Sequence, residues 1–107
     1  MDDEIPSKAI KRINSIPGLE PRSSCQGQDE NHPTFLIFRL PEAGEKKIQR
    51  FCEELKGRMD NTYCDYDIGN KGAYRIGAAA LLWPDKDRKK FRKWWTELAE
   101  TLEDMMK

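Results

Sequence analysis

The segment Thr34-Phe35-Leu36-Ile37-Phe38-Arg39-Leu40, closed by Pro41, narrows the fold more than any other part of this chain. It is almost wholly apolar and rich in residues that favour extended backbone. Such a run is expected for a strand covered on both faces in the middle of a sheet. The residues on either side of it read differently.

Pro6 suits the first turn of a helix, where its missing N–H costs nothing. Ala9, Ile10, Ile13 and Ile16 follow on one helical face, and Pro17-Gly18 stops the helix. Beyond the apolar run, Glu45 to Met59 places Ile48, Phe51, Cys52, Leu55 and Met59 on one helical stripe. Asn61 to Ile68 then alternates, with Cys64, Tyr66 and Ile68 on one face and Tyr63, Asp65 and Asp67 on the other. Gly69-Asn70-Lys71-Gly72 is a hairpin-type turn. Ala73 to Trp83 reads as a long strand, and the scarcity of side-chain bulk at Gly77-Ala78-Ala79-Ala80 predicts that something packs closely against it. Pro84-Asp85 opens a terminal helix carrying Phe91, Trp94, Trp95, Leu98, Leu102 and Met105. With a short first strand over Glu20 to Cys25, the order is α-β-β-α-β-β-α. Hairpin-like pairs alternating with helices predict a two-layer α+β domain over residues 1–107, its helices packed on one side of a mostly antiparallel sheet.

Nineteen basic and 19 acidic residues give a formal net charge of zero, which argues against a dedicated nucleic-acid or membrane-surface protein. No apolar stretch approaches the roughly 20 residues of a membrane-spanning helix. The acidic start, Met1-Asp2-Asp3-Glu4, is unlike a secretory signal. Three widely spaced cysteines favour free thiols in a reducing compartment, so a soluble cytoplasmic protein is expected.

Cys52 and Cys64 fall on apolar faces and read as small core hydrophobes. Cys25 belongs to no such face. Together with His32, the three thiols are the right ligand types for zinc, but they lack the close pairing that structural zinc sites use, so no metal is expected. Cys25 instead sits in Arg22-Ser23-Ser24-Cys25-Gln26-Gly27, a polar connection with the chain's one histidine, His32, nearby. Arg22 and His32 are candidate stabilisers of a Cys25 thiolate. Hydroxyls of Ser23 and Ser24 with N–H groups near Gly27 could instead cradle an anion or a ligand's polar edge. Turn-making alone is the plainer alternative. The candidate ligand-binding set is Arg22, Ser23, Ser24, Cys25, Gly27 and His32.

Ser24-Cys25-Gln26-Gly27, lying between a Pro-Gly helix stop and a strand, resembles the Ser-Cys-x-Gly motif of small domains of unassigned function. Ser23, Ser24, Cys25 and Gly27 are also similar to the Ser-Ser-Cys-Ser-Gly-Arg segment of the wybutosine-synthesis methyltransferase family. That family uses S-adenosylmethionine to modify a guanosine-derived base in transfer RNA. The position after the glycine is Gln28 where the relatives carry a basic residue, with His32 a few residues away. The resemblance adds a base-modifying, methyltransferase-like enzyme as an alternative, and the Cys–His logic adds a thiol-dependent one. The leading expectation is a small ligand- or partner-binding domain, its ligand or cofactor unspecified.

Lys86, Arg88, Lys89, Lys90, Arg92 and Lys93 crowd the start of the terminal helix, opposite to what the helix dipole favours. They are either a surface for weak, non-specific nucleic-acid binding or a solvated face with partners such as Lys93 and Glu97. Trp94 and Trp95 point about 100° apart. One can anchor the core while the other lies near its edge; an exposed indole there can stack on a base, and boundary packing explains the pair equally well.

Overall fold

The computed structural model describes residues 4–25, 34–69, 72–81 and 88–107. Gly27, His32, Asn70, Lys71, Trp83, Pro84, Asp85 and Lys86 lie outside the described residues. The elements are α1 (Glu4–Asn14), β1 (Glu20–Cys25), β2 (Phe35–Arg39), α2 (Glu45–Arg58), β3 (Thr62–Ile68), β4 (Tyr74–Ala80) and α3 (Arg88–Met105). This is the α+β order expected from the sequence.

The strands form a four-stranded sheet ordered β1-β2-β4-β3, with every neighbouring pair antiparallel. β2 and β3 therefore run parallel, joined through α2, and β4 returns between them to complete the hairpin. At that turn Gly72 has a φ of 74°, and the Gly69 N–H donates to the Ala73 carbonyl at 2.7 Å. At the start of β3, Asn61 takes a φ of 55°, a region asparagine tolerates better than bulkier residues.

Alternation along the central strands decides where the helices lie. Leu36 and Phe38 of β2, Ile76, Ala78 and Ala80 of β4, and Cys64 of β3 are buried. They merge with Ala9 and Ile13 of α1, Ile48, Phe51 and Leu55 of α2, and Leu98 and Leu102 of α3 in one core. Phe38 meets Phe51 edge to face at 5.9 Å. The intervening residues Phe35, Ile37, Arg39, Gly77 and Ala79 are only half-buried. β2 thus lies in the middle of the sheet as expected, but the described helices cover it on one face rather than two. Its second set of apolar side chains lies on the side away from the helices.

Other expectations are corrected at the ends of elements. β4 stops at Ala80, and Leu81 instead donates its N–H to the Asn61 carbonyl at 2.6 Å. Ile68 shares the parity of Cys64 but is 60% exposed, because it closes the ladder opposite Tyr74. Neither tryptophan of α3 lies at an edge. Trp94 and Trp95 are 2% and 0% exposed, their rings edge to face at 5.1 Å. A buried indole needs an acceptor for its N–H. Trp94 Nε1 donates to Thr62 Oγ1 and Trp95 Nε1 to Thr34 Oγ1, each at 2.8 Å. These two threonines flank the helix-covered side of β3 and β2, so a 100° divergence still leaves both rings inside. No base-stacking indole is presented by this pair.

Candidate functional site

The side of the sheet away from the helices can be read off the register, since directly paired residues of antiparallel strands share a face. Ser23 pairs with Ile37, Ile37 with Gly77, and Gly77 with Asp65. The adjoining row is Phe35, Ala79 and Tyr63. The charged end of the same face holds Glu20 paired with Arg39, and Arg75 paired with Asp67.

Over Gly77 this face forms a concavity of about 300 Å³, lined by Ile37, Tyr63, Asp65, Asp67 and Arg75 among others. A Cβ built on Gly77 meets nothing within 4 Å. The close packing expected along Gly77-Ala78-Ala79-Ala80 is made on the helix side, where Ala78 and Ala80 are buried in the core; at Gly77 no described residue makes it. Side chains of β3 and β4 wall the space. Tyr63, 52% exposed, donates its phenol proton to Asp65 Oδ2 at 3.1 Å. Asp65 Oδ1 accepts from the Tyr66 N–H at 2.8 Å. Arg75 grips Asp67 with two parallel bonds of 3.0 Å, the bidentate geometry a guanidinium makes best. The hydrogen bond to Asp65, then its charge, holds the Tyr63 phenol above its ordinary pKa. Arg39 Nε is buried and has no hydrogen-bond partner among the described residues. Buried unpaired donors are rare and ask for a reason.

The sequence-derived set lies partly along this face. Arg22, Ser23, Ser24 and Cys25 are residues of edge strand β1. Ser23 is exposed and opposite Ile37; Ser24 and Cys25 are placed by backbone pairing with Leu36 and Phe35. The register slips between Pro21 and Ser23, so Arg22 is the extra residue of a β-bulge and is exposed. A bulge re-aims side chains and, with a proline, discourages edge-to-edge pairing. Gly27 and His32 lie outside the described residues, so the Cys25–His32 pairing is not described. Tyr63, Asp65, Arg75 and Gly77 were not among the sequence-derived candidates. Alternation already put Tyr63, Asp65 and Asp67 together, but only the register brings them over Gly77.

Elsewhere, Cys52 and Cys64 are free and buried in the core. A hydrogen bond with Cys52, reinforced by burial, pushes the Cys64 thiol well above its ordinary pKa. Among the described residues no group of three or more His, Cys, Asp or Glu is placed to hold a metal, and no helix is long and apolar enough to cross a membrane. A larger hollow of about 750 Å³ lies between α1 and α3, and three of the charged residues that line it are held in ion pairs. Arg12 pairs with Glu103 there, and Arg58 reaches Asp104 from α2. On α3, Lys89, Lys90 and Lys93 are exposed, Lys93 lying 3.6 Å from Glu97.

No protein-family model, no curated protein and no solved structure matches this chain.

Proposed function

We propose that this protein is a small ligand- or partner-binding domain whose site is the face of its sheet away from the described helices. One observation carries the reading: Gly77, in a central strand, has neither a positive φ nor a neighbour that excludes a side chain, and a polar-walled hollow stands over it. Glycine inside a strand weakens it, and commonly marks close approach by a ligand or another backbone. Half-buried Phe35, Ile37 and Ala79 give the face an apolar centre, and the ionisable groups rim it. That distribution is typical of binding sites, where apolar lining supplies contact and few polar groups orient the guest. Arg22 and Ser23 border the face on β1, and Ser24, Cys25, Gly27 and His32 keep their candidacy from the sequence.

Titration of the isotopically labelled chain with nucleotides, S-adenosylmethionine, short RNAs and short peptides tests the site. Binding should move the amides of Ile37, Asp65 and Gly77, with Ser23 and Ser24 at the border. Shifts confined to α3 would remove the site from the sheet.

A further inference from the structure

We infer that the hollow over Gly77 receives a guanidinium group, presented as an arginine side chain by a segment of a partner protein. The inference rests on the sheet face being the binding site and adds what that site selects.

Charge is the first argument. The face carries Glu20, Arg39, Arg75, Asp67 and Asp65. Arg75 and Asp67 satisfy each other through two bonds, and Glu20 stands opposite Arg39 in the register. Arg39 Nε makes no hydrogen bond among the described residues, but Arg39 lies at the charged end of the face; at the hollow itself Asp65 is the charge with which no cation pairs among the described residues. Its two oxygens each accept one hydrogen bond, from Tyr63 and from the Tyr66 N–H. A carboxylate offers about four acceptor positions, so each oxygen keeps one for an incoming donor. The two bonds already made hold the carboxylate in place before a guest arrives, which lowers the ordering cost of binding.

Shape is the second. The floor is the backbone at Gly77, which carries no Cβ, with Ile37 beside it. Tyr63 holds its hydroxyl 3.1 Å from Asp65 and lines the same hollow, so its phenol borders a cation bound to that carboxylate. A guanidinium is planar, binds a carboxylate through two parallel N–H bonds, and stacks on aromatic rings; an ammonium does only part of this. Arg75 does not repel such a guest strongly, because Asp67 neutralises it at 3.0 Å.

Extent is the third. The apolar residues Phe35, Ile37 and Ala79 continue across β2 and β4 beside the hollow. A free guanidinium compound fills the hollow and leaves that strip bare. A peptide segment with apolar residues flanking its arginine covers both.

The test titrates the full labelled chain with a capped Leu-Arg-Leu peptide, its citrulline counterpart, and N-acetyl-arginine amide. Citrulline keeps the shape of arginine and removes the charge. The arginine peptide should bind on the order of tenfold tighter than the citrulline peptide, as charge-assisted hydrogen bonds are about twice as strong as neutral ones. It should also bind tighter than N-acetyl-arginine amide and move the amides of Asp65 and Gly77. Asp65→Asn should erase the arginine–citrulline difference while leaving the melting temperature close to that of the parent. Gly77→Ala should narrow the hollow and weaken binding of the arginine peptide without lowering that temperature, since a Cβ there meets no described atom within 4 Å. Equal affinity for both peptides at the sheet overturns the guanidinium assignment and leaves the sheet face as a site. Binding of the arginine peptide away from Asp65, or no binding, also overturns it. N-acetyl-arginine amide binding as tightly as the peptide overturns the partner segment. The wider ligand panel then decides separately whether the face binds anything.

Discussion

Gly77 and the paired threonines Thr34 and Thr62 show opposite ways in which one residue matters. Gly77 lies in a strand interior with room above it, so folding alone does not ask for glycine there. Alanine should raise the unfolding free energy by about 0.5–1 kcal/mol, the usual cost of glycine within a regular element. Urea denaturation measures this, and a loss of stability would mean that the face is not open at this position. Thr34 is the reverse case. It is fully buried, and its hydroxyl accepts the Trp95 indole proton. Thr34→Val keeps the volume and strands that donor, so the chain should lose about 1–3 kcal/mol. A near-neutral result by the same denaturation would show that the indole finds another acceptor.

Among the elements, α3 combines two behaviours. Its apolar side buries Trp94, Trp95, Leu98, Ala99 and Leu102. Its acidic end is matched by cations from the other two helices, Arg12 of α1 with Glu103 and Arg58 of α2 with Asp104. The hydrogen bond from Arg58, then its charge, holds the Asp104 carboxyl below its ordinary pKa. The acidic charges that oppose the helix dipole are thus compensated by tertiary packing, which charge patterning along one helix could not reveal. The exposed basic end should give at most weak nucleic-acid binding, lost near physiological salt, because each neutralised phosphate releases counterions. Replacing Lys89, Lys90 and Lys93 with glutamine should abolish it while preserving the fold, as all three are exposed. Fluorescence anisotropy with a labelled RNA across salt concentrations checks this. Binding that persists at high salt would move nucleic-acid recognition to the front. Burial of Trp94 and Trp95 takes from α3 the stacking platform those two indoles would supply beside the lysines.

At the scale of the molecule, the element order was legible because periodicity changes cleanly from Ile48–Met59 to Cys64–Ile68. The one-sidedness was harder to see in β2, where Phe35 and Ile37 look as apolar as Leu36 and Phe38. Only pairing with β4 reveals two different environments for them. The sheet-face hollow was illegible for the same reason: Gly77 and Asp65 lie twelve positions apart in the chain and meet through register. Cys52 and Cys64, by contrast, were placed correctly in the core by periodicity. Their burial makes them reporters of the whole fold. The bond between the two thiols lowers the Cys52 pKa and raises that of Cys64, so protonation alone does not protect both; burial does, with Cys52 4% and Cys64 1% exposed. With Cys25 changed to serine, iodoacetamide should therefore modify Cys52 and Cys64 only as fast as the chain opens. Opening of a buried core approaches the global unfolding free energy. The alkylation rate should rise with urea in step with the unfolded population, well before the midpoint of denaturation. A rate like that of a free thiol, and indifferent to urea, would show that α2 separates from β3 without unfolding the rest.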